Sequence, residues 1–515
     1  MDSILNSLPS KSSPLDSLPT TLLKGCSDIF SPIICTLANL SFAEGHFPNS
    51  FKLAQVLPLL KKTGLDADSP ANYRPISNLN TISKILEKLF SSRLKKHIKT
   101  SVNINPFQSA YPQFHTTETA LLRILNDVYT SVDGKRITIL VSLDLSAAFD
   151  TLDHSTLFHR LEHTFGVAGP ALEWVSSYLT NRSQFIKVDD VSSELFDCHL
   201  GVPQGSVLGP LLFALYVAPV SNVLASRGVA YHQYADDTQL YLGCEVGDIN
   251  NSLDIINECT TSVNEWFLLN GLCLNPSKSE AMFLGSNQQL NKSKLIKSIL
   301  VADNSIAVSS EIKSLGVVFD DRLSFDNYVD KLCRGAHYHI RALRHVRHSL
   351  STEVAKSVAC SIVGSRIDYC NSLLYGISGK NIEKIQKVQN SVARVITCQR
   401  KYDHISPVLK NLHWLPIQNR IKFKYCTIIF KTLFNNEPVY LRNLLNYTPS
   451  KRTLRSSNNQ LLNVPFCKTV MASRAFCVAA PKVWNEIPLH IRNSPTLLIF
   501  KEKLKTHFFR QSFKI

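Results

Sequence analysis

The chain has 515 residues, 44% of them hydrophobic and 19% charged, with 23 Pro and 19 Gly. That length accommodates roughly two to four domains with a sizeable core, and the composition excludes a fibrous or largely disordered chain. Basic residues outnumber acidic ones, 56 to 40, for a formal net charge of +16; a surplus of this size fits an extended polyanion partner or a basic protein without one, and charge alone leaves both open.

Met1–Pro19, rich in Ser, Pro and Leu, reads as a loose lead-in. From Thr20 the pattern turns helical, with Leu22, Leu23, Cys26, Ile29, Phe30, Ile33, Ile34, Leu37 and Leu40 recurring at spacings of three and four. Ser83–Lys99 predicts a second helix with Ile85, Leu86, Leu89, Phe90 and Leu94 on one side and Lys84, Lys88 and Lys95 on the other. Ile137–Leu145 (ITILVSLDL) is a largely apolar, β-branched run, the pattern of a strand buried on both faces. Helical periodicity surrounds Trp174–Leu179, and Gly201–Pro210 is a Gly/Pro-punctuated loop feeding an apolar helix over Leu211–Leu224. Tyr231–Leu242 predicts two short strands around a polar turn, Ser252–Leu269 a helix, Asn275-Pro276 a turn, and Ile312–Phe319 one more strand. After about Asp326 the chain turns helical, with His337, Arg341, Arg344 and His348 on one face and Ala336, Ile340, Leu343 and Leu350 on the other.

The thirteen cysteines are scattered singly, without a CxxC pair or a zinc-finger spacing. The N-terminal residues lack a basic n-region and an unbroken apolar h-region, so no secretion signal is expected. The longest apolar stretch, Leu211–Ala225, is short for a membrane span and contains Pro219. A reducing compartment, cytoplasm or nucleus, and no membrane are the expectation.

Three Asp-Asp pairs occur, and context separates them. Asp189-Asp190 lies in a polar stretch and Asp320-Asp321 ends a strand without a partner motif; both read as surface turns. Asp236-Asp237 falls at the tip of an apolar hairpin, where the strands cover both flanks. Asp144 ends the buried ITILVSLDL strand, where an ionised carboxylate is costly without a cation or donor. If Asp144, Asp236 and Asp237 cluster, divalent metal relieves their mutual repulsion, and an oxygen-only ligand set favours Mg²⁺ or Mn²⁺ over zinc. Two such ions about 4 Å apart activate a primer 3′-hydroxyl and stabilise leaving pyrophosphate in an in-line displacement. On the residues alone, Asp144 as the cap of a helix at Ser146–Phe149 is an equal reading.

SLDLSAAFDTLDH, GVPQGSVLGPLLF, YADD and LNPSKSE occur in this order, and together they resemble successive palm motifs of non-LTR retrotransposon reverse transcriptases, especially jockey-like and related long interspersed elements. Upstream, LPLLKK and NYRPISNLNTISKILEKL resemble the fingers of that family; downstream, LGVVFDDRLSF resembles the end of its palm, and DYCNSLLYG, LHWLPIQNRI and WNEIP with FKEKLKTHFF resemble the region beyond. The resemblance covers nearly the whole chain, and four ordered motifs are far more specific than any one. It implies an α+β, right-hand polymerase fold: an N-terminal helical lead-in over 1–50, fingers and a palm with an antiparallel sheet over 51–325, and a helical thumb and C-terminal region over 326–515.

The resemblance also implies roles. Asp144 and Asp236 are the principal ligands of two Mg²⁺ or Mn²⁺ ions, with Asp237 beside them and the Leu145 carbonyl close by. Phe149 falls where the family's bulky residue blocks a ribose 2′-OH and so selects deoxynucleotides. Gln204 and Gly205 lie against the template strand and incoming nucleotide, where glycine lets backbone approach closely. Lys278 approaches the triphosphate and donates a proton to the leaving group, and Arg74, with Lys61 or Lys62, grips the triphosphate through a fork suited to phosphate. The implied partners are an RNA template, a DNA primer and dNTPs; protein partners are not indicated. The basic face at His337, Arg341, Arg344 and His348 fits a thumb tracking duplex phosphates, and equally a solvated helix face. His337 and His339 lack acid or Cys partners at ligand spacing. One departure from the family is Pro112, where an arginine is usual. An endonuclease normally precedes the polymerase in such elements, and the chain reads as beginning after it. The reading from another class is a catalytically silent, nucleic-acid-binding relic of such an element.

Overall fold

The computed structural model describes residues 1–62, 64–146, 148–447 and 461–514. In chain order its strands are β1 (Leu53–Leu60), β2 (Tyr73–Asn78), β3 (Ile137–Leu143), β4 (Leu145–Ser146), β5 (Arg182–Val188), β6 (Val191–Ser192), β7 (Phe196–Cys198), β8 (Ala230–Tyr234), β9 (Asp237–Cys244), β10 (Cys273–Leu274), β11 (Glu280–Leu284), β12 (Ser298–Val301), β13 (Asn304–Ala307), β14 (Glu311–Ser314) and β15 (Val317–Asp320), set among helices in an α+β arrangement. The chain forms two compact units, neither a single segment: Met1–Tyr111 with Asp144–Gly228 and Cys259–Asn275, and Pro112–Leu143 with Val229–Glu258 and Pro276–Ile515.

In the first unit β1 runs antiparallel to β2, from Gln55 opposite Asn78 to Leu60 opposite Tyr73, and parallel to β5. The helix Thr81–Ile98 buries Ile85, Leu86, Phe90 and Leu94, as the periodicity predicts. Trp174 anchors the core of this unit. Its ring stacks on Phe90 at 4.2 Å, meets Phe42 and Phe47 edge-on, and its indole N–H donates to the Ser41 hydroxyl at 2.9 Å.

Two expectations change here. Met1–Pro19 is not a loose lead-in: Asp2–Asn6 is helical, Leu5 and Leu8 are buried against Ile34 and Ile85, and the Asp16 carboxylate accepts from the Thr81 amide and hydroxyl, each at 2.6 Å. The apolar stretch after the Gly/Pro loop is two helices, Gly209–Val217 and Val220–Ser226, because Pro219 supplies no amide to carry the ladder through. By length and composition alone Gly209–Ser226 is apolar enough to cross a membrane, but 56% of it is buried inside the molecule. The helix Ser27–Ala43 buries Ile34 and leaves Ile29, Ile33 and Leu40 exposed, so its apolar stripe is wider than its packed face.

In the second unit four antiparallel strands form a sheet in the order β11-β3-β9-β8. β3 is central, and all but one of its residues are buried, which is why it reads as an unbroken apolar run. The helix Thr117–Asp133 packs against β3, β8 and β9, burying Leu121, Ile124, Leu125 and Val128. Its polar residues turn to the C-terminal helices: Glu118 accepts from the Ser372 amide and pairs with Lys424 at 3.1 Å, Asn126 accepts from the Cys477 amide, and Asp133 accepts from the amides of Lys468 and Thr469.

Ile312–Phe319 is not one strand but the hairpin β14–β15, turned at Leu315 (φ 45) and Gly316 (φ 81). Two consecutive left-handed residues match the twist of a tight hairpin, and an Leu-Gly pair does not advertise that turn. Asp189-Asp190 is the exposed turn expected. Asp320 does more: its carboxylate accepts from the amides of Arg322, Ser324 and Phe325, fixing the entry to the helix Asp326–Val346. On that helix Ala336, Ile340 and Leu343 are buried, and His337, Arg341 and Arg344 are exposed, as is His348 just beyond it. The cysteines are free thiols.

Trp174→Ala should lower the unfolding free energy by about 4 kcal/mol, as expected for deleting a buried aromatic whose neighbours are themselves core residues. Urea unfolding followed by circular dichroism measures it; a loss below about 1 kcal/mol would show that the stack on Phe90 is not structural.

Candidate active site

In the first unit the backbone on both sides of Asp144 is held. The Asp144 carbonyl accepts from the Asn275 amide at 2.8 Å, and Leu145 pairs with Leu274 across β4 and β10. Asp144 is half-buried and Leu145 buried. The alternative reading, a helix at Ser146–Phe149 capped by Asp144, finds no helix among the described residues there: Ser146 ends β4 and Ala148–Asp150 is a turn, while Ala147 lies outside the described residues. Asp144 is therefore not the cap of a helix there.

Phe149 stacks on Phe213 at 4.8 Å, and its carbonyl accepts from the Val202 amide at 2.8 Å. The Gly201 amide donates to the Leu152 carbonyl at 2.7 Å. This approach requires glycine: at φ 77, a Cβ on Gly201 would lie 2.7 Å from the carbonyl oxygens of Phe149 and Asp150. The loop then crosses β2, where the Ser77 amide donates to the Gln204 carbonyl at 2.7 Å. Gly205, at φ 120, brings its Cα so close that a Cβ would stand 2.7 Å from the Ser77 carbonyl oxygen.

The Gln204 side-chain amide donates to both carboxylate oxygens of Asp150, each at 2.9 Å. Desolvation raises the Asp150 carboxyl above its ordinary value, and the Gln204 amide opposes that. Asp150 was not singled out from the sequence, although it follows Phe149 directly; its partner lies 54 positions away and leaves no local sign. Arg74 is exposed on β2 opposite Leu59. Lys61 and Lys62 are exposed in the segment leading from β1, and the Lys61 ammonium donates to the Ala71 carbonyl at 2.7 Å. The first unit thus gathers Phe149, Gln204 and Gly205 with the β2 strand that carries Arg74.

In the second unit Tyr234 pairs with Asp237, which leaves Ala235 and Asp236 as a two-residue turn. Ala235 sits at φ 58, a conformation glycine takes more easily, and is buried all the same. Asp236 and Asp237 are half-buried. Leu143, the last residue of β3, is opposite Thr238 on one side, and Ser142 is opposite Glu280 on the other. Lys278 is exposed in the turn that enters β11, at this same end of the sheet. Among the described residues, no three His, Cys, Asp or Glu side chains already gather into a group that could hold a metal ion. His232, on β8, packs edge-on against the Tyr440 ring at 4.9 Å. Burial, then Arg123 and His115, push its imidazole down to about 3.

Residues 60–319 match the family described as reverse transcriptase (RNA-dependent DNA polymerase). The chain belongs to this family, and within it to the non-LTR retrotransposon enzymes. It is 27% identical to a probable RNA-directed DNA polymerase from transposon BS of Drosophila melanogaster, over 90% of this chain and 51% of the relative. It is 25% identical to the RNA-directed DNA polymerase from mobile element jockey of Drosophila funebris, over 76% of this chain and 42% of that one. The chain thus spans about half the length of the curated relatives it matches. A solved apo telomerase from Candida tropicalis aligns with a TM-score of 0.40 at 11% identity, covering 79% of this chain and 71% of that one.

Gly205→Ala should destabilise the protein clearly more than Gly228→Ala. Both glycines have positive φ, which costs an alanine about 1 kcal/mol, but at Gly228 (φ 67) no atom lies within 4 Å of the new Cβ, whereas at Gly205 a backbone carbonyl must move. Equal shifts in the urea midpoint would show that the loop is not pressed on β2.

His232 sets a pH dependence. An unfolded histidine protonates near pH 6.5 and the folded one only near 3. The stability of the neutral buried form is therefore complete above pH 6.5 and declines below it, by up to about 1.4 kcal/mol per pH unit. His232→Gln should flatten the unfolding free energy between pH 6.5 and pH 4; an unchanged slope would contradict the assignment.

Proposed function

We propose that the chain catalyses RNA-directed DNA synthesis, extending a DNA primer on an RNA template with dNTPs. The observation that carries this reading is the register at the end of the sheet: Leu143, which precedes Asp144, lies opposite Thr238, which follows Asp237. Asp144 directly follows the first of these residues in the chain, and Asp237 directly precedes the second.

The carboxylates of Asp144, Asp236 and Asp237, with the Leu145 carbonyl, would form a hard, oxygen-only donor set that fits Mg²⁺ or Mn²⁺. Two such ions would activate the primer 3′-hydroxyl and stabilise the departing pyrophosphate. In the reaction the 3′-oxygen forms a bond to the α-phosphorus while the bond from that phosphorus to the bridging oxygen breaks. Lys278, at the same end of the sheet as Asp237, delivers a proton to the pyrophosphate. Arg74, with Lys61 or Lys62, holds the triphosphate through charge-assisted hydrogen bonds. Phe149, fixed by its stack on Phe213, would exclude a ribose 2′-OH. Gln204 and Gly205 would lie against the template strand and the incoming nucleotide. Residues 51–325 would act as fingers and palm, and 326–515 as thumb and C-terminal region, with His337, Arg341, Arg344 and His348 along the phosphates of the duplex.

Purified protein should extend a DNA primer on an RNA template with dNTPs and Mg²⁺. Asp236→Ala should reduce synthesis to background while RNA binding persists. No extension by the wild-type chain, alongside a related enzyme that works, would sink the reading; RNA binding without synthesis would mark a silent relic instead.

A further inference from the structure

Resting on the polymerase reading above, we propose that Glu87 is a positioning residue, whose side chain sets the Gln204-Gly205 loop against β2 and thereby tunes binding of the incoming nucleotide. Glu87 lies on the helix Thr81–Ile98 and is fully buried, at 0% exposure. One carboxylate oxygen, Oε2, accepts from the amides of Val207 at 2.6 Å and Leu208 at 3.0 Å; the other, Oε1, accepts from the Ser83 hydroxyl at 3.0 Å. Val207 and Leu208 lead into the helix Gly209–Val217, where amides have no carbonyl partner in their own helix. A buried acceptor at that place fixes where the loop ends.

The loop is held at its head, its middle and its tail, besides the Gln204 side chain on Asp150. Its head is tied by the amides of Gly201 and Val202 to the carbonyls of Leu152 and Phe149. Its middle is tied by the Gln204 carbonyl to the Ser77 amide. Both are backbone bonds. The tail is tied by the amides of Val207 and Leu208 to the Glu87 side chain, with the Ser206 hydroxyl accepting locally from the Gly209 amide at 2.9 Å. Glu87 and Ser77 also belong to one continuous stretch, since the Thr81–Ile98 helix begins three residues after β2 ends. Whatever displaces the tail therefore shifts Gln204 and Gly205 relative to β2, and hence to Arg74.

The geometry identifies what Glu87 supplies: a twin acceptor at a fixed reach. Burial pushes its carboxyl above the ordinary carboxylate range, against the lowering by the two amides and by Arg182. A neutral acceptor of the same length should serve nearly as well. Glu87→Gln keeps an oxygen for both amides and turns an N–H pair toward Ser83, whose hydroxyl can accept. Glu87→Asp keeps the charge and withdraws the oxygens by about one bond, roughly 1.5 Å. The two variants thus separate reach from charge, and neither removes enough volume to empty the core.

Two measurements decide it. Deuterium exchange of the peptide spanning residues 203–212 should be slow at Val207 and Leu208 in the wild type and in Glu87→Gln, and fast in Glu87→Asp. In steady-state extension, Glu87→Asp should raise KM for dNTP by about tenfold, the scale of lost hydrogen bonds to a buried group, with kcat and RNA affinity little changed. Glu87→Gln should stay within about twofold of wild type. The proposal is overturned if Glu87→Asp matches wild type in exchange and KM, if Glu87→Gln is the worse of the two, or if kcat and RNA binding fall together with KM unchanged. A wild-type chain unable to extend any primer would count against the polymerase reading instead, and exchange would then decide alone whether Glu87 anchors the loop.

Discussion

β3 lies between two antiparallel neighbours, and its register on both sides is what the rest of the structure depends on. Ser142 faces Glu280 of β11, and Leu143 faces Thr238 of β9. With both faces of β3 buried, a slip of one residue would exchange every side chain between the two faces, so the core itself locks the register. The tip of the β8–β9 hairpin and the turn carrying Lys278 are then delivered to one end of the sheet. The left-handed Ala235 is a local cost of making that tip only two residues long. The same sheet is backed by the helix Thr117–Asp133, whose Asp127 accepts from the Tyr241 hydroxyl and pairs with Arg123, so a polar contact as well as apolar packing ties helix to sheet.

Much of this was legible in the sequence, for identifiable reasons. The ITILVSLDL run announced a doubly buried strand, and its residues up to Leu143 are nearly all buried, but the strand stops there, and Leu145 pairs with Leu274 in a separate two-stranded sheet. The YHQYADDTQLYL stretch announced a hairpin because apolar residues flanked a polar pair. The helix at Thr81–Ile98 showed its packed face by periodicity, and the basic face of Asp326–Val346 did the same. The family resemblance singles out Asp144, Asp236 and Asp237 from among forty acidic residues as candidate ligands, which is a proposal and not an outcome of the fold.

What could not be read were contacts between distant residues and turns without a composition signal. Leu315-Gly316 makes a tight hairpin turn out of a stretch that looks like one strand. Leu5 and Leu8 sit in a Ser/Pro-rich segment that looked loose, yet they close the core around Ile34 and Ile85. Asp150 and Glu87 find their partners 54 and about 120 positions away, and those partners are a side-chain amide and two backbone amides. Asp320 resembled Asp236 as half of an acidic pair, but its carboxylate is committed to three backbone amides. That Asp320 and Glu87 are committed to backbone amides shows only in the folded structure.

The central proposal is that Asp144, Asp236 and Asp237 would hold the same cations, although more than ninety residues separate the first from the other two. Mn²⁺ binding to the full chain with a dNTP present, followed by electron paramagnetic resonance, tests it most directly. The account predicts that Asp144→Asn and Asp236→Asn each weaken the same tight Mn²⁺ sites. Tight binding that survives Asp144→Asn intact, while Asp236→Asn removes it, would contradict the shared site.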